Sequence, residues 1–407
     1  MQTLGDLDLA HLPIEHPDFY ADPQRHIETA RLKHPWLARF DHGYIVYGLQ
    51  ASRDLLYMDD KMGPHFSGVV DHFGAAGTDW ARFMSDQIAT TSGERHARLR
   101  KSLAAAFTPR SANTMRPLMR QTISKLLDEW APRGSFDFVE FASHFPITVM
   151  CGILGVPAGP VRDIHRAIEA QILCLTMNRD LFPSINEGYE ILREFTAGLI
   201  AKRENAADAD CLYLLDTLIA VKQDGHLSED ELRDLVITLI LAGYDTTKNE
   251  FAFVLYNLIG RHAVWQRCAE DLAYCQSVIQ EALRHTSVAT PSRTLYGDVE
   301  YAGIHFPKGT HLCFALAISG RDPEAYSRPT EFSPGREQTS RHLAFGRGTH
   351  ICLGQFLATA QLEEGIHLLA QRVDNVRLDG QAEWRPFRAG IWGMQSLPVR
   401  FDLTQSP

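Results

Sequence analysis

The 407-residue sequence predicts a mainly α-helical fold with small β-sheets, and three observations carry the prediction. Ser228 and Glu231 stand at the Ser-x-x-Glu capping-box spacing, at the head of a helical pattern that runs to Ile259, just before Gly260. That helix would hold about 31 residues and span roughly 46 Å at 1.5 Å per residue, enough to cross a whole domain. Near the C-terminus Leu353, Phe356, Leu357, Leu362 and Ile366 recur at helical spacing. Short runs at 299–306, 309–315 and 397–401 read instead as strands of a small sheet. With 45% hydrophobic residues the chain can bury a large core, and length alone suggests two or three domains.

In chain order, residues 1–13 alternate Asp6 and Asp8 with single leucines. They have neither a basic start nor an apolar run, which predicts neither a signal peptide nor a membrane anchor. The longest apolar run near a helix centre, 235–243, is about half of the roughly 20 residues a spanning helix needs, so a soluble protein is expected. Residues 23–32 form a short amphipathic helix, and 36–40 and 44–47 flank Asp41-His42-Gly43 as a hairpin. Between 61 and 92, Gly63, Gly68, Gly74 and Gly77 alternate with Phe66, Phe73, Trp80 and Phe83. That composition predicts a mobile aromatic segment able to line an apolar pocket, the alternative being a partly disordered surface loop. In the basic helix that follows, His96 and Arg100 lie four apart on one face and can present donors to a single anionic group. Residues 116–130 and 145–154 are scaffold helices, the second ended by Gly155 and Pro157. Residues 162–203 hold two helical patterns interrupted near 178–183, equally consistent with a core-packing pair and with a lid; 204–210 reads as a solvated loop.

Seven cysteines, at 151, 174, 211, 268, 275, 313 and 352, include no C-x-x-C pair and no zinc-type spacing. They read as reduced thiols in a cytosol, which makes the expected location cytoplasmic. The formal charge of −10 argues against nucleic acid as a partner and leaves room for a local basic face.

The stretch Phe345-Gly346-Arg347-Gly348-Thr349-His350-Ile351-Cys352-Leu353-Gly354 brings one cysteine to the mouth of the C-terminal helix. Gly346 and Gly348 permit backbone angles that a residue with a Cβ resists. Helix amides and the positive end of the dipole favour a thiolate there. Such a thiolate is a one-point ligand, suited to a metal whose other positions are filled by something else, as in haem. The bland alternative is a buried cysteine in a glycine-rich turn. In the middle of the 228–259 helix sit Ala242-Gly243-Tyr244-Asp245-Thr246-Thr247. A buried helix seldom groups Gly, Asp and two Thr, because Gly weakens it and the polar side chains compete for backbone groups. Ala242 and Gly243 are small enough to admit a flat macrocycle, and Asp245 and Thr246 can hydrogen-bond and pass protons. The alternative is a kinked helix with Thr246 bonded back to a carbonyl. Glu281 and Arg284, three apart, would by themselves be a surface pair worth less than about 1 kcal/mol.

Phe345, Gly348, Cys352 and Gly354 fit F-x-x-G-x-x-x-C-x-G, and the segment resembles the haem-binding loop of the cytochrome P450 family. The acid-Thr pair, the E-x-x-R pair and the 329–336 meander follow in the order the family requires, so the resemblance runs from about residue 20 to 401. It implies one P450-like domain over 1–407, with haem b (iron protoporphyrin IX) between the long central helix and the Cys loop. The metal ligand it implies is Cys352. The cofactor-binding set is His96, Arg100, Ala242, Gly243, Arg293, Phe345, His350, Cys352 and Gly354, with His96, Arg100, Arg293 and His350 toward the propionates. Thr246 and Asp245 are the implied catalytic pair, Thr246 holding activated oxygen and Asp245 feeding it protons from solvent. Tyr244 is expected to point away and Thr247 to give support, while Glu281, Arg284 and Arg336 form a buried network. Segments 61–92 and 165–205 become mobile substrate-access segments.

The chemistry so implied is insertion of one oxygen atom from O2 into an apolar organic substrate, by hydroxylation or epoxidation. Electrons come from NAD(P)H through a ferredoxin and a ferredoxin reductase that dock on Arg98, Lys101, Arg341 and Arg347, with the chain a monomer. Two other classes compete. A haem-thiolate sensor or electron carrier would not need the acid-Thr pair, and a peroxide-using haem-thiolate enzyme would need little partner surface.

Overall fold

The computed structural model describes residues 2–64, 67–157, 159, 164–205, 213–337, 340–387 and 390–404. Phe66, Arg162, Cys211 and most of the 204–210 loop lie outside the described residues. The fold is mainly α with small sheets, as the periodicities imply, and it is built around the helix Glu229–Leu258. Both capping-box bonds form at its head: Glu231 N–H donates to Ser228 Oγ and Ser228 N–H to Glu231 Oε2, each at 3.1 Å. At 30 residues it crosses the molecule, buried for most of its length between Phe138–Leu154 and Gln355–Arg372. Its apolar residues face the core all round, which is why its sequence shows no clean amphipathic stripe.

The hairpin forms as Leu37–Phe40 and Gly43–Val46, joining a five-stranded sheet with His311–Phe314, Ser292–Leu295 and Met62–Gly63. The three C-terminal strand runs do not share one sheet. Residues 299–306 fold back on themselves as Val299–Tyr301 and Ile304–Phe306, because Ala302 and Gly303 turn through positive φ. His311–Phe314 enters the five-stranded sheet, and Pro398–Leu403 pairs with Val373–Leu378 and Ser135–Asp137. Alternation identifies a strand but not its partner.

The scaffold helices begin earlier than their apolar periodicity suggests, at Pro109–Trp130 and Phe138–Leu154. Thr108 caps the first, with Pro109 at its first position, and Asp137 caps the second by accepting from Val139 and Glu140 N–H. Gly155 ends the second at φ 74°. The 162–203 pattern divides into His165–Ile172 and Phe182–Glu204, joined by two short 3-10 turns.

The 61–92 segment carries the helices Ser67–Phe73 and Asp79–Asp86. Phe73 and Phe83 pack against the helix Phe182–Glu204: Phe73 stacks on Phe182 at 5.8 Å, and Phe83 lies 5.2 Å from Tyr189. Trp80 Nε1 donates to Gln171 Oε1, and Arg82 grips both Asp234 oxygens at 2.7 and 3.1 Å. Among the described residues, this segment therefore reaches the cavity wall through Ile88 and Ala89, and not through Phe73, Trp80 or Phe83. Among the described residues no helix is long and apolar enough to cross a membrane.

Candidate active site

The Cys loop sits where the sequence places it, with Cys352 three residues before the helix Gln355–Arg372. Cys352 N–H donates to the Phe345 carbonyl at 2.8 Å, closing the loop into a tight bend. Gly348 is at φ 76°, and a Cβ there would lie 2.4 Å from the Leu56 carbonyl, so glycine is required on two counts. The sulfur stands on a cavity wall, ringed by protein and exposed to the cavity. Burial raises the Cys352 pKa, while the Gly354 amide and the Arg100 charge oppose that and favour the thiolate.

Two adjoining cavities, of about 210 and 250 Å3, share Thr246, Thr247, His350, Cys352 and Ala358 as walls. His96 and Arg100 enter one, Arg293 the other, and His350 both. The His96 and His350 rings pack at 4.2 Å between centroids. Burial, followed by the neighbouring arginine charges, depresses both imidazole pKa values, that of His350 to about 3. Arg293 is 9% exposed, and among the described residues its side chain bonds only the Ser292 carbonyl. Arg100 has no hydrogen bond or ion pair among the described residues, and burial lowers the pKa of both guanidiniums. Two half-buried to buried cations with no carboxylate in ion-pair contact among the described residues fit a guest that brings its own anions, as the propionates of haem would.

Opposite the sulfur, the central helix presents Ala242, Gly243, Thr246 and Thr247 to the cavity. A Cβ on Gly243 would come within 2.5 Å of Met150 Cε. Thr246 Oγ1 donates to the Ala242 carbonyl at 2.8 Å, so the bond back to the helix and the cavity-facing position coexist, and the helix runs unbroken through it. Tyr244 points away, its hydroxyl bonded to His165 Nε2 at 2.7 Å and Glu169 at 3.2 Å.

Asp245 does not line the Thr246 cavity. It faces a third cavity of about 240 Å3, with Glu169, Arg385 and Gln395. Its Oδ1 lies 3.0 Å from both Lys248 Nζ and Arg385 Nη1. Burial pushes its pKa up, but the two cations outweigh that and hold the carboxyl below its ordinary value. Lys248, three residues on, is legible in the sequence as an i, i+3 partner; Arg385, 140 residues away, has no local signal.

Glu281 and Arg284 form a bidentate pair at 2.7 and 2.8 Å with both side chains 1% exposed. Arg284 also donates to the Gly320, Pro329 and Glu331 carbonyls, and Arg336 joins Glu281 at 3.2 Å. The basic set needs one correction: Arg98 is bound by both oxygens of Glu231, at 2.9 and 2.5 Å, and contributes little free charge. Arg341 and Arg347 instead border a surface groove of about 330 Å3 with Arg53, which no sequence pattern points to.

The cytochrome P450 family model matches residues 64–397. The chain belongs to the cytochrome P450 family; it is a haem b monooxygenase of that family. It is 31% identical over 399 residues to luteothin monooxygenase of Streptomyces thioluteus, covering 97% of this chain and 96% of that one. It is 29% identical over 330 residues to 6-deoxyerythronolide B hydroxylase of Saccharopolyspora erythraea, covering 80% of each. Among solved structures, CalO2 superposes with a TM-score of 0.87 at 22% identity, covering 97% of this chain and 99% of that one, a likeness of fold.

Proposed function

We propose that this monooxygenase inserts one oxygen atom into an apolar organic molecule, with Cys352 as the iron ligand and Thr246 and Asp245 as its proton-handling pair. The observation that carries the reading is the cavity itself: the Cys352 sulfur and the Thr246 hydroxyl on shared walls, with Arg100 and Arg293 around them, neither in an ion pair among the described residues. Haem bound there supplies oxygen activation driven by two electrons from outside the chain. Arg100, Arg293, His96 and His350 take its propionates, and Ala242 and Gly243 leave room for the ring. Phe345 and Gly354 hold the loop, the first through its carbonyl and the second through its amide. Thr246 holds a proton at Oγ1 within the cavity, and Asp245 exchanges protons with water in the third cavity. The substrate is apolar because Ile88, Leu239, Val288, Ala289 and Ile391 make up much of the remaining wall. Relatives named for oxidising luteothin and 6-deoxyerythronolide B support an organic substrate. Segments 61–92 and 165–205 form its access path.

Electrons reach this cytoplasmic enzyme from NAD(P)H through a ferredoxin and its reductase, docking on Arg53, Arg341 and Arg347 beside the Cys loop. The reduced, CO-bound protein should show the red-shifted Soret band of a thiolate ligand, and Cys352→Ala should lose it. A band retained by that variant would transfer the ligand role to another cysteine.

A further inference from the structure

The central helix places one further acid on the cavity wall, and none of these roles uses it. Glu250 lies one turn beyond Thr246 and lines the same cavity as Thr246 and Cys352. It is 6% exposed. Its Oε2 accepts from Val288 N–H at 3.1 Å, and its Oε1 is buried without a hydrogen-bond partner among the described residues. Burial pushes its carboxyl well above the usual range, and the Val288 amide opposes this only in part.

Val288 belongs to the stretch that follows the helix Leu272–His285 and crosses the cavity wall. Almost all of that stretch is tied down by backbone. Ser287 N–H donates to the Ala317 carbonyl at 3.0 Å, and Trp392 N–H to the Val288 carbonyl at 2.8 Å. Ala289 and Thr290 pair with Ile391 and Gly390. The Val288 amide is the exception, because its partner is the Glu250 side chain. Val288, Ala289 and Pro291 all line the cavity, so the position of this amide fixes how far they intrude. A neutral acid suits this position, since it accepts the bond and places no uncompensated charge beside an apolar guest.

We propose that Glu250 is a positioning residue, clamping the Val288 amide to the central helix and so setting the cavity wall that selects the substrate's shape. The proposal rests on the cavity being the oxidation site, which the Cys352 experiment tests separately.

Two measurements on the ferric holoprotein test it: hydrogen exchange at Val288, and Soret titration with imidazole and with the bulkier 4-phenylimidazole. Glu250→Gln keeps a carbonyl oxygen for the amide, so exchange and both affinities should stay within about twofold of wild type. Glu250→Leu strands a buried N–H, and exchange should rise about tenfold or more. Its affinity for 4-phenylimidazole should change about tenfold while that for imidazole stays within about twofold. Glu250→Asp, one methylene too short to reach, keeps an acid in place and should behave like the leucine variant even if the latter loses haem. A glutamine variant that matches the leucine one, or an aspartate variant that matches wild type in exchange and azole selectivity, would overturn the clamp.

Discussion

Removing the charge of Asp245 perturbs two things at once, and the structure says how to separate them. The carboxyl is 1% exposed and holds Lys248, whose side chain is 2% exposed, and Arg385, whose side chain is 22% exposed. Asp245→Asn leaves the Lys248 ammonium buried with no carboxylate, whereas Arg385 can turn toward solvent. Breaking a buried pair from one side costs about 3–5 kcal/mol, and the freedom of Arg385 argues for the lower end. At about 2.1 cal/mol/K per residue of unfolding entropy, a loss of about 3 kcal/mol lowers the midpoint of a chain this long by roughly 3–4 °C. Asp245→Asn/Lys248→Met removes both charges and should recover most of that loss. Product formation driven by NAD(P)H should stay slow in both variants if Asp245 passes protons. The paired assays are thermal unfolding of the holoprotein and steady-state turnover. A single variant as stable as wild type would refute the ion pair, and a double variant with wild-type turnover would refute the relay. The pH dependence has a definite sign. Because the folded-state pKa is depressed, the stabilisation is present above the unfolded value of about 3.9 and fades as pH falls through the folded one. Wild type and Asp245→Asn should therefore converge in stability in acid.

Thr246→Ala should leave haem binding and NAD(P)H consumption in place while product falls and hydrogen peroxide rises, measured as the ratio of each to cofactor consumed. Unchanged coupling would move the proton path to Thr247 or a substrate hydroxyl. Reduction by an acidic ferredoxin should slow steeply with added salt and with Arg347→Glu, since exposed charges are screened beyond about 8 Å at physiological ionic strength. A rate indifferent to both would remove the Arg53, Arg341 and Arg347 face as the docking surface.

The legible parts of this protein are those whose physics is local. The capping box, the helix start after Cys352 and the Gly348 turn each depend on neighbours within a few residues, and each appears where the sequence puts it. His96 and Arg100 share a helical face by spacing alone, and both reach one cavity. Apolar periodicity alone shortens the two scaffold helices, because Thr108 and Asp137 start them by capping, ahead of that periodicity. Strand partners are not legible, since 299–306, 309–315 and 397–401 carry similar patterns and enter three different sheets.

By itself the sequence determined the helix-rich class, the long central helix, the position of Cys352 just ahead of the C-terminal helix and the adjacency of Asp245 and Thr246, because each is written in residues along one element. Only the tertiary structure decided that Asp245 turns from the Thr246 cavity toward Arg385, that Glu231 takes up Arg98, and that Phe73 and Phe83 pack on the helix Phe182–Glu204. The same holds for the Val288 amide resting on Glu250. Pairings between residues far apart in the chain depend on how whole helices and strands pack, and no local periodicity encodes that packing.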